Sequence, residues 1–154
     1  FLSTLEYVIP KPVPFLRVGI ANLPILLAVD LLPVPAVLAV VFLKVVGQGL
    51  VSGTLVSYVF LFSAVGSFAS GLAMIAARRL LRQRVTLVGV SVLGALVSNI
   101  AQIVLARFLI FGEGAWLIVA PFLALGTVTA VLLGLFAETF TARSRWLAGL
   151  RGRL

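Results

Sequence analysis

The sequence contains no cysteine and no histidine, and only four of its 154 residues are acidic. These absences exclude disulfide bonds, thiol nucleophiles and imidazole bases, and they remove the usual ligands of zinc and haem. The four carboxylates, at positions 6, 30, 113 and 138, are too far apart in the sequence to form an acidic motif. We therefore predict no catalytic residue, no metal site and no cofactor in this chain.

Charged residues are also scarce, at 10% of the chain, whereas 62% of the residues are hydrophobic. A soluble domain contains about 45–50% apolar residues and about 25% charged residues. A chain this short has too much surface for its volume to bury the excess in a core, so the excess must face lipid. The apolar runs are continuous and lack the period of two that a membrane β-barrel requires. The sequence therefore predicts an all-α integral membrane protein.

A transmembrane helix needs about 20 apolar residues, so the chain has room for about five or six of them. Prolines and glycines divide the apolar runs, since both interrupt helices. We predict a bundle of six transmembrane helices in a single integral membrane domain, with the first helix incomplete because the sequence starts with Phe1 and not with Met. The domain covers 1–154, and the predicted spans are 1–9 (partial), 18–32, 36–50, 55–81, 85–111 and 115–140, before a basic tail at 141–154.

The basic residues are distributed unevenly along the chain. Eight of the twelve lie in two segments, between spans four and five and after span six, and a six-span topology places both segments on one side. The positive-inside rule makes that side cytoplasmic, so we expect a multi-pass protein of the bacterial cytoplasmic membrane with a cytoplasmic C-terminus. A nucleic-acid partner is not expected, because basic segments beside membrane helices ordinarily set topology. The eight residues are Arg78, Arg79, Arg82, Arg84, Arg143, Arg145, Arg151 and Arg153.

Polar side chains within the predicted spans collect in the outer half of the membrane in this orientation. Such side chains are costly in lipid and are therefore candidates for function. A simpler alternative for Lys44 and Arg107 is that their charged groups extend to the outer interface. The convergence of four amides favours an outward-opening pocket with cationic walls, suited to a small molecule with an anionic or strongly accepting group. The candidate substrate-binding residues are Arg17, Asn22, Lys44, Gln48, Asn99, Gln102 and Arg107.

Small residues recur four positions apart in spans four and five. Ser67 is followed by Gly71, and Gly94 is followed by Ser98. This spacing allows two helices to approach closely in a membrane. Packing inside the bundle is one interpretation of the pattern, and docking to a separate membrane subunit is the other.

Two segments resemble a bacterial membrane family. The first is Arg17-Val18-Gly19-Ile20-Ala21-Asn22, which follows a proline-rich loop and is similar to a Lys-Leu-Gly-Leu-Ala-Asn segment. The second is Val88-Gly89-Val90-Ser91-Val92-Leu93-Gly94-Ala95, followed by Asn99 and Gln102. The family is described as heptaprenyl diphosphate synthase component I, or Gx transporter, and it is similar to the substrate-binding S-components of energy-coupling factor transporters. The resemblance covers about residues 5–140.

This resemblance implies six helices, with the substrate held near the outer face by the loop after helix one and by helices four to six. It also implies two kinds of partner, a membrane coupling (T) subunit and two ATPase subunits, which drive the S-component to topple and release its cargo. A histidine that precedes the family's asparagine is Ser98 here, so proton transfer is not expected at that position. The family's motif residues correspond to Gly19, Ala21, Asn22, Asn99 and Gln102.

The expected function is therefore that of a substrate-binding membrane subunit, which takes up a small vitamin-like molecule or an isoprenoid, quinone or flavin precursor. The chain has no Gly-xxxx-Gly-Lys-Ser/Thr segment, so its energy must come from partners. An autonomous prenyl diphosphate synthase is not expected, because such enzymes bind magnesium through Asp-rich motifs that this sequence lacks. Two alternatives stay open: a non-catalytic membrane partner of a prenyl diphosphate synthase or redox system, and a solitary transporter.

Overall fold

The computed structural model of the protein describes residues 22–81 and 84–144, which are helical throughout apart from short turns. A π-helical turn at Arg107–Phe111 and a 3-10 turn at Gly112–Ala115 join the last two α-helices. The five α-helices of the described ranges are α1 (Leu23–Leu31), α2 (Val34–Val51), α3 (Tyr58–Leu81), α4 (Leu87–Ala106) and α5 (Trp116–Arg143).

Four of these helices, α2 to α5, are long and apolar enough to cross a membrane. Large apolar side chains remain on the outside of the bundle, where a soluble protein would place polar ones. Leu43 is 67% exposed, Phe108 80% and Leu117 85%. Since water disfavours such a surface and lipid does not, the chain is a membrane protein built from transmembrane helices, as the composition predicts.

The prediction of six transmembrane helices is not supported, because five helices are counted in the described ranges and one of them is short. The predicted partial span 1–9 lies outside the described residues. Residues 18–21 of predicted span 18–32 lie outside the described residues, and its described part contains α1, which has nine residues and is about 14 Å long. That length is half of the roughly 30 Å hydrocarbon core, so α1 does not cross it alone.

Prolines determine where the first two helices begin. Pro24 lies in the first turn of α1, a position where its missing N–H costs nothing and its fixed φ suits a helix. Leu32 then turns extended, and Pro33 caps α2 with Pro35 in the first turn of that helix. The chain therefore passes from α1 to α2 at Leu32 and Pro33, between the second and third predicted spans. The side chain of Thr86 caps α4 by accepting a hydrogen bond from the Gly89 N–H at 3.2 Å.

Consecutive helices run in opposite directions, so the bundle has two ends. We call one the Arg78 end, where α1, α3 and α5 finish and α2 and α4 begin, and the other the Arg107 end. At the Arg78 end, Arg78 donates from Nε to Asp30 Oδ1 at 3.1 Å and from Nη1 to the Val85 carbonyl at 2.7 Å. Glu138 of α5 accepts a hydrogen bond from the Val88 N–H at 3.3 Å. These contacts join α1, α3, α4 and α5 at one end of the bundle.

Helix α4 is the centre of the packing and lies between α3 and α5. Glycines permit the close approaches that this arrangement needs. A Cβ on Gly71 would stand 2.8 Å from Val41 Cγ2, and one on Gly94 would stand 2.7 Å from Met74 Cγ. Two of the predicted small-residue positions therefore lie at helix contacts inside the bundle, which favours the internal-packing interpretation.

The tightest backbone contact occurs between α4 and α5. A Cβ on Gly134 would stand 2.5 Å from the Cα of Val88, which is backbone and cannot rotate away. We expect Gly134→Ala to lower the free energy of unfolding by about 2 kcal/mol, the usual scale for an overpacked contact. Thermal unfolding of the detergent-solubilised protein, followed by tryptophan fluorescence, measures the change.

The matched control is Gly47→Ala in α2, where no atom lies within 4 Å of the added Cβ. Because alanine is the better helix former, this variant should be as stable as the parent or slightly more stable. Equal losses of stability in the two variants would contradict the proposed backbone contact.

Candidate functional site

Polar side chains form a layer across the interior of the helices that span the membrane. Each member of this polar layer is buried or half-buried between helices. The layer combines predicted site residues with serines that the sequence analysis did not single out as site residues. Its members are Asn22, Lys44, Gln48, Ser63, Ser67, Ser98, Asn99 and Gln102.

Lys44 connects three helical segments within this layer. Its Nζ donates to Asn22 Oδ1 at 2.5 Å, just before α1, and to Ser67 Oγ of α3 at 2.9 Å. Ten residues separate Lys44 from Val34 at the start of α2, a rise of about 15 Å, which is half of the hydrocarbon thickness. If α2 begins at one face of the bilayer, Lys44 lies near mid-depth, where its ammonium group bonds to the side-chain oxygens of Asn22 and Ser67.

Gln48 lies one turn beyond Lys44 on the same face of α2, as the spacing of four predicts. Its Oε1 accepts a hydrogen bond from Ser63 Oγ of α3 at 3.2 Å. Ser63 in turn precedes Ser67 by one turn, so two matching rungs connect α2 and α3. The second rung lies closer to the Arg107 end.

Asn99 and Gln102 are almost fully buried in α4, at 5% and 3% exposure. Gln102 Nε2 donates to Ser98 Oγ at 3.0 Å. Among the described residues, the Asn99 Nδ2 and Gln102 Oε1 atoms have no hydrogen-bond partner although both are buried. An unsatisfied buried polar atom costs about 1–3 kcal/mol, so two in one layer call for an explanation.

The two amides diverge toward different neighbours. A Cβ on Gly66 of α3 would overlap Gln102 Nε2, and a Cβ on Gly126 of α5 would stand 3.1 Å from Asn99 Cγ. The spacing of three places both residues on the buried side of α4, but one amide lies against α3 and the other against α5. Each amide is accommodated only because the residue opposite is glycine.

This fit yields a prediction for Gly126. The variant Gly126→Ala should lower the free energy of unfolding by about 2 kcal/mol, because the new methyl group competes with the Asn99 amide for the same space. Adding Asn99→Ala should restore most of that loss, since the shorter side chain vacates the space. Thermal unfolding of the single and double variants measures both effects, and failure of the second substitution to rescue the first would contradict the contact.

The two predicted arginines differ from the rest of the set. Arg107 is exposed at the Arg107 end, and its guanidinium carbon lies 5.5 Å from the centre of the Trp116 ring. This cation–π contact lies beyond the buried layer, so Arg107 is not brought together with the amides. Arg17 lies outside the described residues.

The sequence analysis did not predict the serines of α3 as site residues, although two of them belong to the layer and a third lies on the same helix face. Ser63, Ser67 and Ser70 follow each other at spacings of four and three, which places them on one face of a helix. All three are buried, and Ser70 Oγ has no partner among the described residues. In the sequence, the signal for these site residues is the row of hydroxyls on one face of α3, which lies opposite Lys44 and Gln48.

A sequence model of the family described as "Heptaprenyl diphosphate synthase component I" matches residues 1–140. The chain belongs to this family. Comparison with curated proteins and with solved structures gives no match. The family match confirms the resemblance on which the sequence analysis relied. In this component I protein, the described ranges contain no group of three or more acidic residues close enough together to hold a metal ion.

Proposed function

We propose that this component I protein is the substrate-binding membrane subunit of an energy-coupling factor type transporter. It takes up a small vitamin-like molecule, or an isoprenoid, quinone or flavin precursor, and performs no reaction itself. The observation that carries the proposal is the polar layer, which contains a lysine bonded to Asn22 and Ser67 and two buried amides with unsatisfied atoms. Intramembrane polar groups of this cost are usually retained for a ligand.

The chemistry of the layer suggests how a ligand is held. Lys44 supplies positive charge for an anionic or strongly accepting group, as a charged donor makes the stronger hydrogen bond. Asn99 Nδ2 offers a donor on the α5 side of α4 and Gln102 Oε1 an acceptor on the α3 side, so a ligand that reaches either side satisfies one buried atom. Gln48 and Asn22 orient the cargo beside them. The outward-opening pocket itself stays a prediction.

Orientation follows from the arginines. Arg78, Arg79 and Arg84 lie at one end of the bundle and Arg143 closes α5 at the same end. The positive-inside rule assigns that end to the cytoplasm of a bacterial cell, with a cytoplasmic C-terminus. Lys44 then lies at mid-depth, and Gln48 and both amides lie in the outer half, which supports capture from outside.

The deciding experiment is affinity purification of the full chain from its native membrane. Association with a membrane coupling subunit and two ATPases, together with a retained small molecule in native mass spectrometry, supports the proposal. Purification without those partners and without a bound molecule contradicts it.

The family description favours a second candidate. The words "component I" of a heptaprenyl diphosphate synthase imply a protein that works beside another component. In that case the chain is a non-catalytic membrane partner that holds a soluble synthase at the bilayer. The same purification, together with a liposome uptake assay, separates the two candidates. Stable association with a synthase, without uptake of ligand into liposomes, favours the second candidate.

A further inference from the structure

An open cleft of about 370 Å³ lies at the Arg78 end, away from the polar layer. It is bounded by the turn between α1 and α2, by the first turn of α2 and by the last two turns of α3. Apolar side chains form most of its wall, and two arginines lie at its mouth. We call it the arginine cleft; its lining residues are Val29, Leu32, Pro33, Val34, Pro35, Val37, Ile75, Arg78 and Arg79.

The two arginines have different roles in this cleft. The Arg78 guanidinium bonds to Asp30, which is 12% exposed, and to the Val85 carbonyl. Asp30 therefore neutralises Arg78 and fixes its side chain as part of the wall. Arg79 is exposed, and its charge makes the mouth of the cleft positive.

The opposite wall is apolar and rigid. Pro33 and Pro35 have no N–H to donate, and their rings fix the backbone where α2 begins. Val34, Val37 and Ile75 add only methyl and methylene groups. A hydrophilic anion gains little binding energy from such a wall. An uncharged hydrocarbon gains no binding energy from the charge of Arg79.

The size of the cleft limits what enters it. A volume of about 370 Å³ corresponds to roughly a dozen water-sized groups of about 30 Å³ each. This is room for a phosphate or diphosphate group and the first carbons of a chain. Leu32, at 45% exposure, extends the apolar wall towards the outside of the bundle, where the rest of a chain meets lipid.

From this combination we infer that the arginine cleft binds an amphiphile that carries a phosphate ester on an apolar chain. Arg79 binds the phosphate, since guanidinium and phosphate form strong charge-assisted hydrogen bonds. The valines, the isoleucine and the prolines hold the first part of the chain. Two sources supply this chemistry, an anionic phospholipid of the surrounding bilayer and a prenyl diphosphate.

The test is a native mass spectrometry titration of the full chain in detergent micelles. The probes are farnesyl diphosphate and phosphatidylglycerol, with farnesol and inorganic diphosphate as matched probes that lack one half of the chemistry. At least one amphiphile should bind about tenfold more tightly than both matched probes. Tighter binding of phosphatidylglycerol assigns the cleft to a bilayer lipid, and tighter binding of farnesyl diphosphate assigns it to prenyl metabolism; each supports the inference.

Three variants connect the binding to the cleft. Arg79→Gln should weaken binding of the amphiphile about tenfold, and Val34→Phe, which fills the cleft and keeps the charge, should weaken it to a similar degree. Arg84→Gln removes an exposed arginine that does not line the cleft and should change binding less than twofold. Equal binding of farnesol or inorganic diphosphate, or equal effects of the two arginine variants, would overturn the inference.

The cleft and the polar layer can be tested separately. Val37 and Lys44 are seven residues apart in α2, about 10 Å along the helix axis. Variants of the cleft therefore leave the polar layer in place, and loss of amphiphile binding does not by itself affect capture of the transported molecule.

Discussion

Replacing Lys44 with methionine is expected to reduce retention of the proposed small-molecule ligand about a hundredfold while the bundle stays folded. Lys44 Nζ is the charged donor of the polar layer, bonded to Asn22 and Ser67 at mid-membrane depth. Removing one partner of a buried charged hydrogen bond costs about 2–5 kcal/mol of binding, and about 2.7 kcal/mol corresponds to a hundredfold. Native mass spectrometry of protein purified from the same cells measures the retained fraction.

The free energy of unfolding of this variant should change much less than its ligand binding, because two effects oppose each other. Methionine has nearly the length of lysine and suits lipid, so the cost of a charge in the membrane disappears. Asn22 Oδ1 and Ser67 Oγ lose a donor in exchange. We expect the free energy of unfolding to stay within about 1–2 kcal/mol of the parent.

Two further variants complete this test. Lys44→Arg keeps the charge with a different shape and should retain part of the binding. Arg84→Gln removes a positive charge from the opposite half of the bundle and should bind as the parent does. If Lys44→Met retained the molecule as well as the parent, the lysine would have no place in the binding site.

Replacing Asp30 with alanine is expected to lower the free energy of unfolding by about 3 kcal/mol, the largest stability effect among these substitutions. The Asp30 and Arg78 side chains are only 12% and 22% exposed, and the substitution removes the carboxylate of this ion pair. Breaking a buried ion pair from one side costs about 3–5 kcal/mol, and the partial exposure places this pair at the lower limit. Thermal unfolding in detergent measures the loss.

The double variant Asp30→Ala/Arg78→Met is the control for this explanation. It removes both charges together, so no uncompensated arginine remains and most of the stability should return. If the double variant were as unstable as the single one, the lost packing of Asp30 would explain the effect better than the lost charge.

Much of the architecture follows from the sequence, because lipid imposes simple rules on length and composition. The predicted spans 36–50, 55–81, 85–111 and 115–140 correspond to α2, α3, α4 with its π-helical turn, and α5. Prolines and glycines marked most of the breaks. Helix α3 begins three residues later than the sequence predicts, because nothing in the apolar composition distinguishes Leu55 and Val56 from the helix that begins at Tyr58.

The short first helix could not be predicted from composition alone. Val18–Leu32 is apolar throughout most of its length, and hydropathy does not separate a helix that crosses the membrane from one that ends halfway. Pro24 limits where a helix can begin, since proline is tolerated in a first turn and disrupts a later one. The number of spanning helices depends on that local geometry.

The structure brings part of the predicted residue set into one layer, but the geometry of that layer could not be predicted from the sequence. Lys44, Gln48, Asn99 and Gln102 are conspicuous because polar residues are rare in this sequence. Which helix each amide faces depends on rotations of α4 by a few tens of degrees and on the glycines opposite. Those contacts cannot be recognised in a single sequence. The serines of α3 were overlooked because hydroxyls are common in membrane helices.

The contacts at the two ends of the bundle give it uneven stiffness. The Arg78 end has an ion pair, side-chain bonds to the backbone at Val85 and Val88, and a backbone contact at Gly134. The larger buried apolar cluster also lies in that half, whereas Phe62 and Ala106 form a much smaller one beyond the polar layer. Judged from the described residues, breathing motions should therefore pivot about the Arg78 end and widen the Arg107 end, which is the end from which the proposed cargo would enter.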